Sequence, residues 1–167
     1  MPPPLSMRVI VNTSPLIALD RIGRLPLLAR LYDHVVRPQA VLDELLAAPT
    51  RIRDAETLLH TSWIATEPNP PAMILRKELG AGETAVLTLA WQSKADLVIL
   101  DDLQARLVAA SLGLKLTGTL GVLLAAARVG YEPNLSQALD DLQAAGFHVT
   151  DALRQQIRNT LPSQTMP

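Results

Sequence analysis

Short apolar runs rich in β-branched residues alternate along this chain with longer segments of helical period. "RVIV" (8–11), "HVVRP" (34–38), "WIATEP" (63–68), "DLVILDD" (96–102) and "LKLTGTLG" (114–121) read as strands with their exits. Between them "NTSPLIALDRIG", "LPLLARLY" (25–32), "PQAVLDELLAA" (38–48), "APTRIRDAETLLH", "GAGETAVLTLAWQSKA" (80–95) and "LQARLVAASLG" (103–113) read as helical. In the first, Asn12, Thr13 or Ser14 caps a helix that Pro15 opens. A turn of helix is expected from Pro71 to Lys77. The remainder is helical: "VLLAAARVG", "PNLSQALDDLQAAG" and "DALRQQIRNTL". Asn134 and Gln137 form a capping box there, and Leu135, Ala138, Leu139 and Leu142 make an apolar stripe.

Uninterrupted apolar runs such as Leu97–Leu100 suit parallel strands covered on both faces. The expected fold is α/β, a three-layer α/β/α sandwich around a mostly parallel sheet. With 167 residues and 49% hydrophobic content, the chain is expected to form one domain over 7–161. A core spans 8–130, C-terminal helices span 131–161, and the termini 1–6 and 162–167 are expected to be flexible.

Composition narrows the chemistry. No run reaches the length of a membrane span and "MPPPLSM" lacks the layout of a signal peptide, so a soluble cytoplasmic protein is expected. The absence of cysteine excludes disulfides, thiolate metal sites and cysteine nucleophiles. Any metal must be held by oxygen or imidazole. Fifteen basic against sixteen acidic residues leave a formal charge of −1, so only a local basic patch would serve a nucleic acid. The five aromatics are too scattered to form a stacking platform.

In parallel α/β sheets ligands sit beyond the carboxyl ends of the strands. There the chain offers Asn12, Thr13 and Ser14 after "RVIV", and Asp101 and Asp102 after "LVIL". One aspartate is expected to face the cleft while the other caps the next helix. Glu83 lies in a helix first turn, where a carboxylate also suits the dipole with no further role. Glu44 flanks the buried stripe of its helix, whereas Asp43 lies on the other flank and is read as solvated. Carboxylates converging at strand ends would suit a hard cation such as Mg²⁺ or Mn²⁺. Other motifs fail: "GAGETA" lacks the preceding strand of a dinucleotide fingerprint, no H-E-x-x-H is present, Ser14 has no nucleophile-elbow glycines, and an aspartyl nucleophile is ruled out where position 12 is an amide.

The residues from "VIVNTSPLIAL" through "VRPQAVLDELL" to "LGAGETAVLTLAWQSKADLVILDDLQARLVAASLGLKLTGTLGVLLAAARVG" resemble the PIN-domain family. Within it they resemble a branch of uncharacterised predicted nucleic-acid-binding proteins. The most specific features are G-x-G-E before an apolar helix, L-D-D with A-R, and G-T-L-G, in that order. The resemblance implies a ribonuclease using Mg²⁺ or Mn²⁺ to cut RNA through a metal-activated water, often as the toxin of a toxin–antitoxin pair with a small antitoxin partner. Homodimerisation is implied as well. By the same resemblance the acid quartet falls on Asn12, Glu44, Glu83 and either Asp101 or Asp102, with Asp102 the closer match, and Ser14 is the small polar residue after the first position. Thr117 and Thr119 are expected to line the same sheet end. Arg21 and Arg106, and Arg76 and Lys77 near the "GAG" turn, are candidates for RNA phosphates. Because Asn12 replaces an acid, the alternative is a catalytically weakened module that binds RNA or a partner protein without cutting.

Overall fold

The computed structural model describes residues 7–71, 73 and 78–160. The elements run β1 (Val9–Val11), α1 (Thr13–Arg21), α2 (Leu27–Tyr32), β2 (Val35–Pro38), α3 (Gln39–Ala47), α4 (Ala55–His60) and β3 (Ile64–Glu67). They continue as α5 (Ala81–Gln92), β4 (Leu97–Ile99), α6 (Leu103–Ser111), β5 (Leu116–Thr117), α7 (Thr119–Arg128), α8 (Leu135–Ala144) and α9 (Asp151–Thr160). The five strands form one sheet in the order β3-β2-β1-β4-β5, and every pairing is parallel. The α/β sandwich expected from the apolar pattern is the fold observed.

The strand order explains the layers. The chain steps outward from β1 to β2 to β3, then returns across the sheet to β4 and β5 on the other side of β1. Right-handed crossovers place the helices of the two halves on opposite faces. Helix α5 accordingly packs along β2, β1 and β4, while α2 and α7 pack on each other and on β2 and β5 respectively. The strands are therefore covered on both sides, and β1 and β2 are buried along their whole length. One apolar cluster runs from Val9 in β1 to Leu139 and Leu142 in α8, Val149, and Ile157 in α9.

Local chemistry moves some boundaries. Helix α1 begins at Thr13, two residues before Pro15, so the proline takes the third position instead of the first. It remains in the first turn, where its missing N–H costs no intrahelical bond. Asn12 occupies the N-cap position without making a side-chain cap. The capping box expected at α8 is half formed: Asn134 accepts from the Gln137 amide, but the Gln137 side chain donates to Asp141. The expected turn of helix at 71–77, with Arg76 and Lys77, and both chain ends lie outside the described residues apart from Pro71 and Met73. Among the described residues no helix is long and apolar enough to cross a membrane.

Polar contacts fix the periphery. Asp20, buried on α1, accepts from the amides of Arg53 and Asp54 at 2.6 and 3.0 Å and so pins the connection into α4. Arg37 is buried within β2 and donates to Thr66 Oγ1 and to the Leu58 carbonyl near the end of α4; burial lowers its pKa. Arg24 reaches from the loop after α1 to Glu132 and Asp141, each at 2.7 Å, and ties α8 to the body of the protein. Burial disfavours the Arg24 charge, but the bonds to Asp141 and Glu132 outweigh it and raise its pKa.

Replacing Arg24 with Met should cost about 3–5 kcal/mol of unfolding free energy in urea, because it strands the buried Glu132 carboxylate with only the Asn134 amide. A loss below about 1 kcal/mol would show that the clamp is dispensable. A second expectation concerns pH. The Arg8 guanidinium hydrogen-bonds Glu67 and holds its carboxyl below the ordinary 4.5 against the opposing effect of burial. A depressed folded pKa contributes stability above the unfolded value, and this is lost as pH falls through the folded one. Glu67→Gln should therefore be less stable than wild type at pH 7, and the gap should close in acid; partial exposure limits it to under about 1 kcal/mol.

Candidate active site at the strand exits

All five strands point the same way, so their carboxyl ends and the N-termini of α1, α3, α6 and α7 share one edge of the sheet. The topological switch lies between β1 and β4, where the crevice for a ligand is expected in this architecture. Asn12 stands at that seam. Its amide donates to the Ile99 carbonyl at 2.9 Å, extending the β1–β4 ladder one residue past the strands. Its side chain is buried, and Oδ1 is the one buried side-chain polar atom without a hydrogen-bond partner among the described residues. An unmet buried acceptor costs about 1–3 kcal/mol, so the position is strained in favour of a ligand.

The carboxylates come to this edge from neighbouring elements. Glu44, half-buried on α3, accepts from Thr13 Oγ1 at 2.5 Å and from the Gly82 amide at 2.9 Å, bridging the first turns of α1 and α5. A Cβ at Gly82 would lie 2.6 Å from the Glu44 oxygens, which is why the second glycine of "GAGE" is needed. On the other side of the seam Asp101 accepts from the Thr119 amide at 2.8 Å and from Thr119 Oγ1 at 2.7 Å. Gly118 permits that approach: a Cβ there would stand 2.6 Å from Asp101 Oδ1 and 2.8 Å from Arg106 Nη1. Arg106 donates to the Leu100 carbonyl at 3.1 Å and so sits directly beside the β4 exit.

Two expected members turn away. Asp102 accepts from the Ala105 amide at 2.9 Å as the cap of α6, whereas Asp101 turns to the start of α7. Glu83 folds back on the Gly80 amide at 2.6 Å, forming the half of a capping box that a glycine N-cap allows. Orphan N–H groups in the first turn of a helix capture the nearest carboxylate, and here they outcompete the centre of the crevice. The ring of acids expected from the sequence is thus not closed: among the described residues no three acidic or histidine side chains lie close enough to share a metal ion. Ser14 is exposed in the first turn of α1, and Thr117 is partly exposed at the end of β5. Asp43 is solvated as expected and bonds Gln39.

Arg21 does not reach this edge. It ends α1, about 12 Å along the helix axis from Thr13, and lies in an open groove with Arg51 and Arg53. Sequence reasoning did not single out Gly82, Gly118 or the bond from Thr13 to Glu44. Their signal was in the quoted motifs, since each glycine directly adjoins the turn that receives a carboxylate.

The donors at the seam are all oxygens, which suits a hard divalent cation, and the unpartnered Asn12 Oδ1 is an acceptor such an ion would satisfy. The residues fit a cation in kind, with one formal charge fewer than an acid at position 12 would supply.

No curated protein matches the chain. Among solved structures, a PilT N-terminus domain protein from the hyperthermophilic archaeon Sulfolobus solfataricus P2 aligns with a TM-score of 0.48 at 13% identity, covering 86% of this chain and 98% of its own. A family model described as a PIN domain matches residues 8–162. The chain, with its strand-exit crevice at Asn12, therefore belongs to the PIN-domain family.

Proposed function

We propose that the strand-exit edge is the active site of a divalent-cation-dependent ribonuclease whose cation affinity is weakened by Asn12. The observation that carries this reading is the buried, unpartnered Oδ1 of Asn12 at the topological switch, with Glu44 bonded to the neighbouring Thr13 and Asp101 two residues past Ile99, whose carbonyl accepts from the Asn12 amide. PIN domains are generally dependent on divalent metal. Asn12, Glu44 and Asp101 would hold Mg²⁺ or Mn²⁺, with Glu83 and Asp102 able to join by leaving their helix caps. A bound cation of this kind lowers the pKa of a water and neutralises charge developing on a phosphodiester.

The chain's own residues supply the rest. Thr13 and the Gly82 amide hold the Glu44 carboxylate in one orientation, and Thr119 does the same for Asp101 with two bonds. Arg106 presents a cation at the β4 exit for an RNA phosphate. The N-terminus of α7, just behind Asp101, adds positive potential for the same anion.

A second reading has its own observation. Every one of the four carboxylates is already engaged by an amide at a helix start, and no triad of acids is assembled among the described residues. This favours a module that binds RNA or a partner without cleavage. Leu103 and Leu107, exposed one turn apart on α6, offer apolar surface for such a partner, either a small antitoxin or a second copy of the chain.

Mn²⁺ titration by calorimetry and cleavage of single-stranded RNA separate the two. In the nuclease reading wild type binds Mn²⁺ weakly and cuts; Asn12→Asp tightens binding by at least about tenfold. Glu44→Gln abolishes both binding and cutting. Wild type that binds RNA but never cuts it, together with an Asn12→Asp variant that does, would establish the module reading. Absence of Mn²⁺ binding and cleavage in both proteins would discard the nuclease altogether.

A further inference from the structure

Beside Asp101 the strand-exit edge opens into a cavity of about 620 Å³, within the range of small-ligand sites. Its apolar lining includes Leu116, Leu142 and Leu153, its polar side carries Asp101 and Arg106, and Phe147, the chain's single phenylalanine, lines it from the segment after α8. The G-T-L-G motif forms the side nearest the sheet. Gly118 lies under Asp101 and Arg106, and Gly121 faces Thr117 Oγ1 so closely that a Cβ at either place would displace the side chain above it.

We infer that this cavity is the subsite for one unpaired nucleobase of the RNA, with the adjoining phosphate on Arg106. The inference rests on the reading of this edge as an RNA site and names the form of RNA it takes. Arg106 donates one N–H to the Leu100 carbonyl and forms no ion pair among the described residues, so its remaining donors are open to an acceptor on the polar side of the cavity. A ligand whose apolar body fills the interior and whose anionic end reaches Arg106 has the construction of a nucleotide. An apolar side chain from a protein partner would fill the interior but would offer the remaining Arg106 donors no acceptor, whereas a phosphate attached to the base would. A base can enter only when it is out of a duplex, so the substrate is a single-stranded or looped segment. The base stacks on Phe147, a contact indifferent to sequence because every base has a π face.

The test is titration of the full chain with UMP and AMP in EDTA, followed by NMR, so that no cation contributes. Both nucleotides should bind wild type. Phe147→Leu, which keeps apolar volume but removes the ring, should weaken them by about tenfold. Arg106→Gln should weaken the nucleotides yet leave uridine and adenosine unchanged, since these lack the phosphate. Gly118→Ala should lower nucleotide affinity, because its methyl would stand 2.6 Å from Asp101 Oδ1, 2.8 Å from Arg106 Nη1 and 3.4 Å from the Leu100 carbonyl oxygen. Wild type that ignores both nucleotides, or Phe147→Leu and Arg106→Gln variants that bind them as wild type does, would overturn the subsite. So would an apolar dye seated in the cavity that neither nucleotide displaces, which would mark it as the seat of a protein partner. Nucleotide binding through Phe147 in a protein that cuts no RNA with Mn²⁺ would sink the nuclease reading alone.

Discussion

The ladder between β1 and β4 is the interaction on which the rest of the molecule depends. Val9, Ile10 and Val11 pair with Leu97, Val98 and Ile99, and the Asn12 amide carries the pairing one step further onto the Ile99 carbonyl. These residues are separated by more than eighty positions in the chain, yet their register decides which side chains emerge together. At this seam the sheet reverses its direction of growth, so the helices on either side diverge and leave a crevice. A slip of one residue would turn the side chains of one strand to the opposite faces of the sheet and uncouple the Asn12 amide from the Ile99 carbonyl.

The same topology explains the electrostatics of the edge. A parallel sheet followed by helices gathers helix N-termini on one side, and each brings unsatisfied amides and the positive end of a dipole. The chain answers with acids: Glu44 on Gly82, Glu83 on Gly80, Asp101 on Thr119 and Asp102 on Ala105. Each carboxylate is thereby held in place without a metal. Mutual repulsion that would otherwise disfavour several carboxylates on one edge is offset locally by the amides. Asn12 is the exception, a neutral buried group with an unmet acceptor. A structure that satisfies every other buried side-chain polar atom among the described residues and leaves this one open is organised around it.

The C-terminal helices contribute more than core. Arg24 clamps Glu132 and Asp141 across more than a hundred positions, and the apolar face of α8 seats Leu139 and Leu142 against the body. The chain leaving α8 then carries Phe147 to the cavity beside Asp101. Ion pairing on one face of α8 and apolar contact on another thus set the far wall of the crevice, linking stability of this segment to the shape of the site.

The alternation of apolar strands and amphipathic helices was legible from residue type alone, because buried parallel strands need unbroken runs such as "RVIV" and "LVIL" while helices need a periodic stripe. Asn12, Glu44 and Asp101 were legible as candidates too, since topology sends strand exits to one edge whatever their side chains. Sequence could not say which acid of "DD" caps α6 and which reaches α7, because that choice depends on the free amide of Ala105 on one side and of Thr119 on the other. Nor could it say that Glu83 would prefer its own helix cap, that Arg21 would lie a helix length from the crevice, or that Phe147 would return to it. Element type follows from short-range periodicity and capping, whereas the partner of each carboxylate is settled by competition among donors that only the packed chain brings within reach.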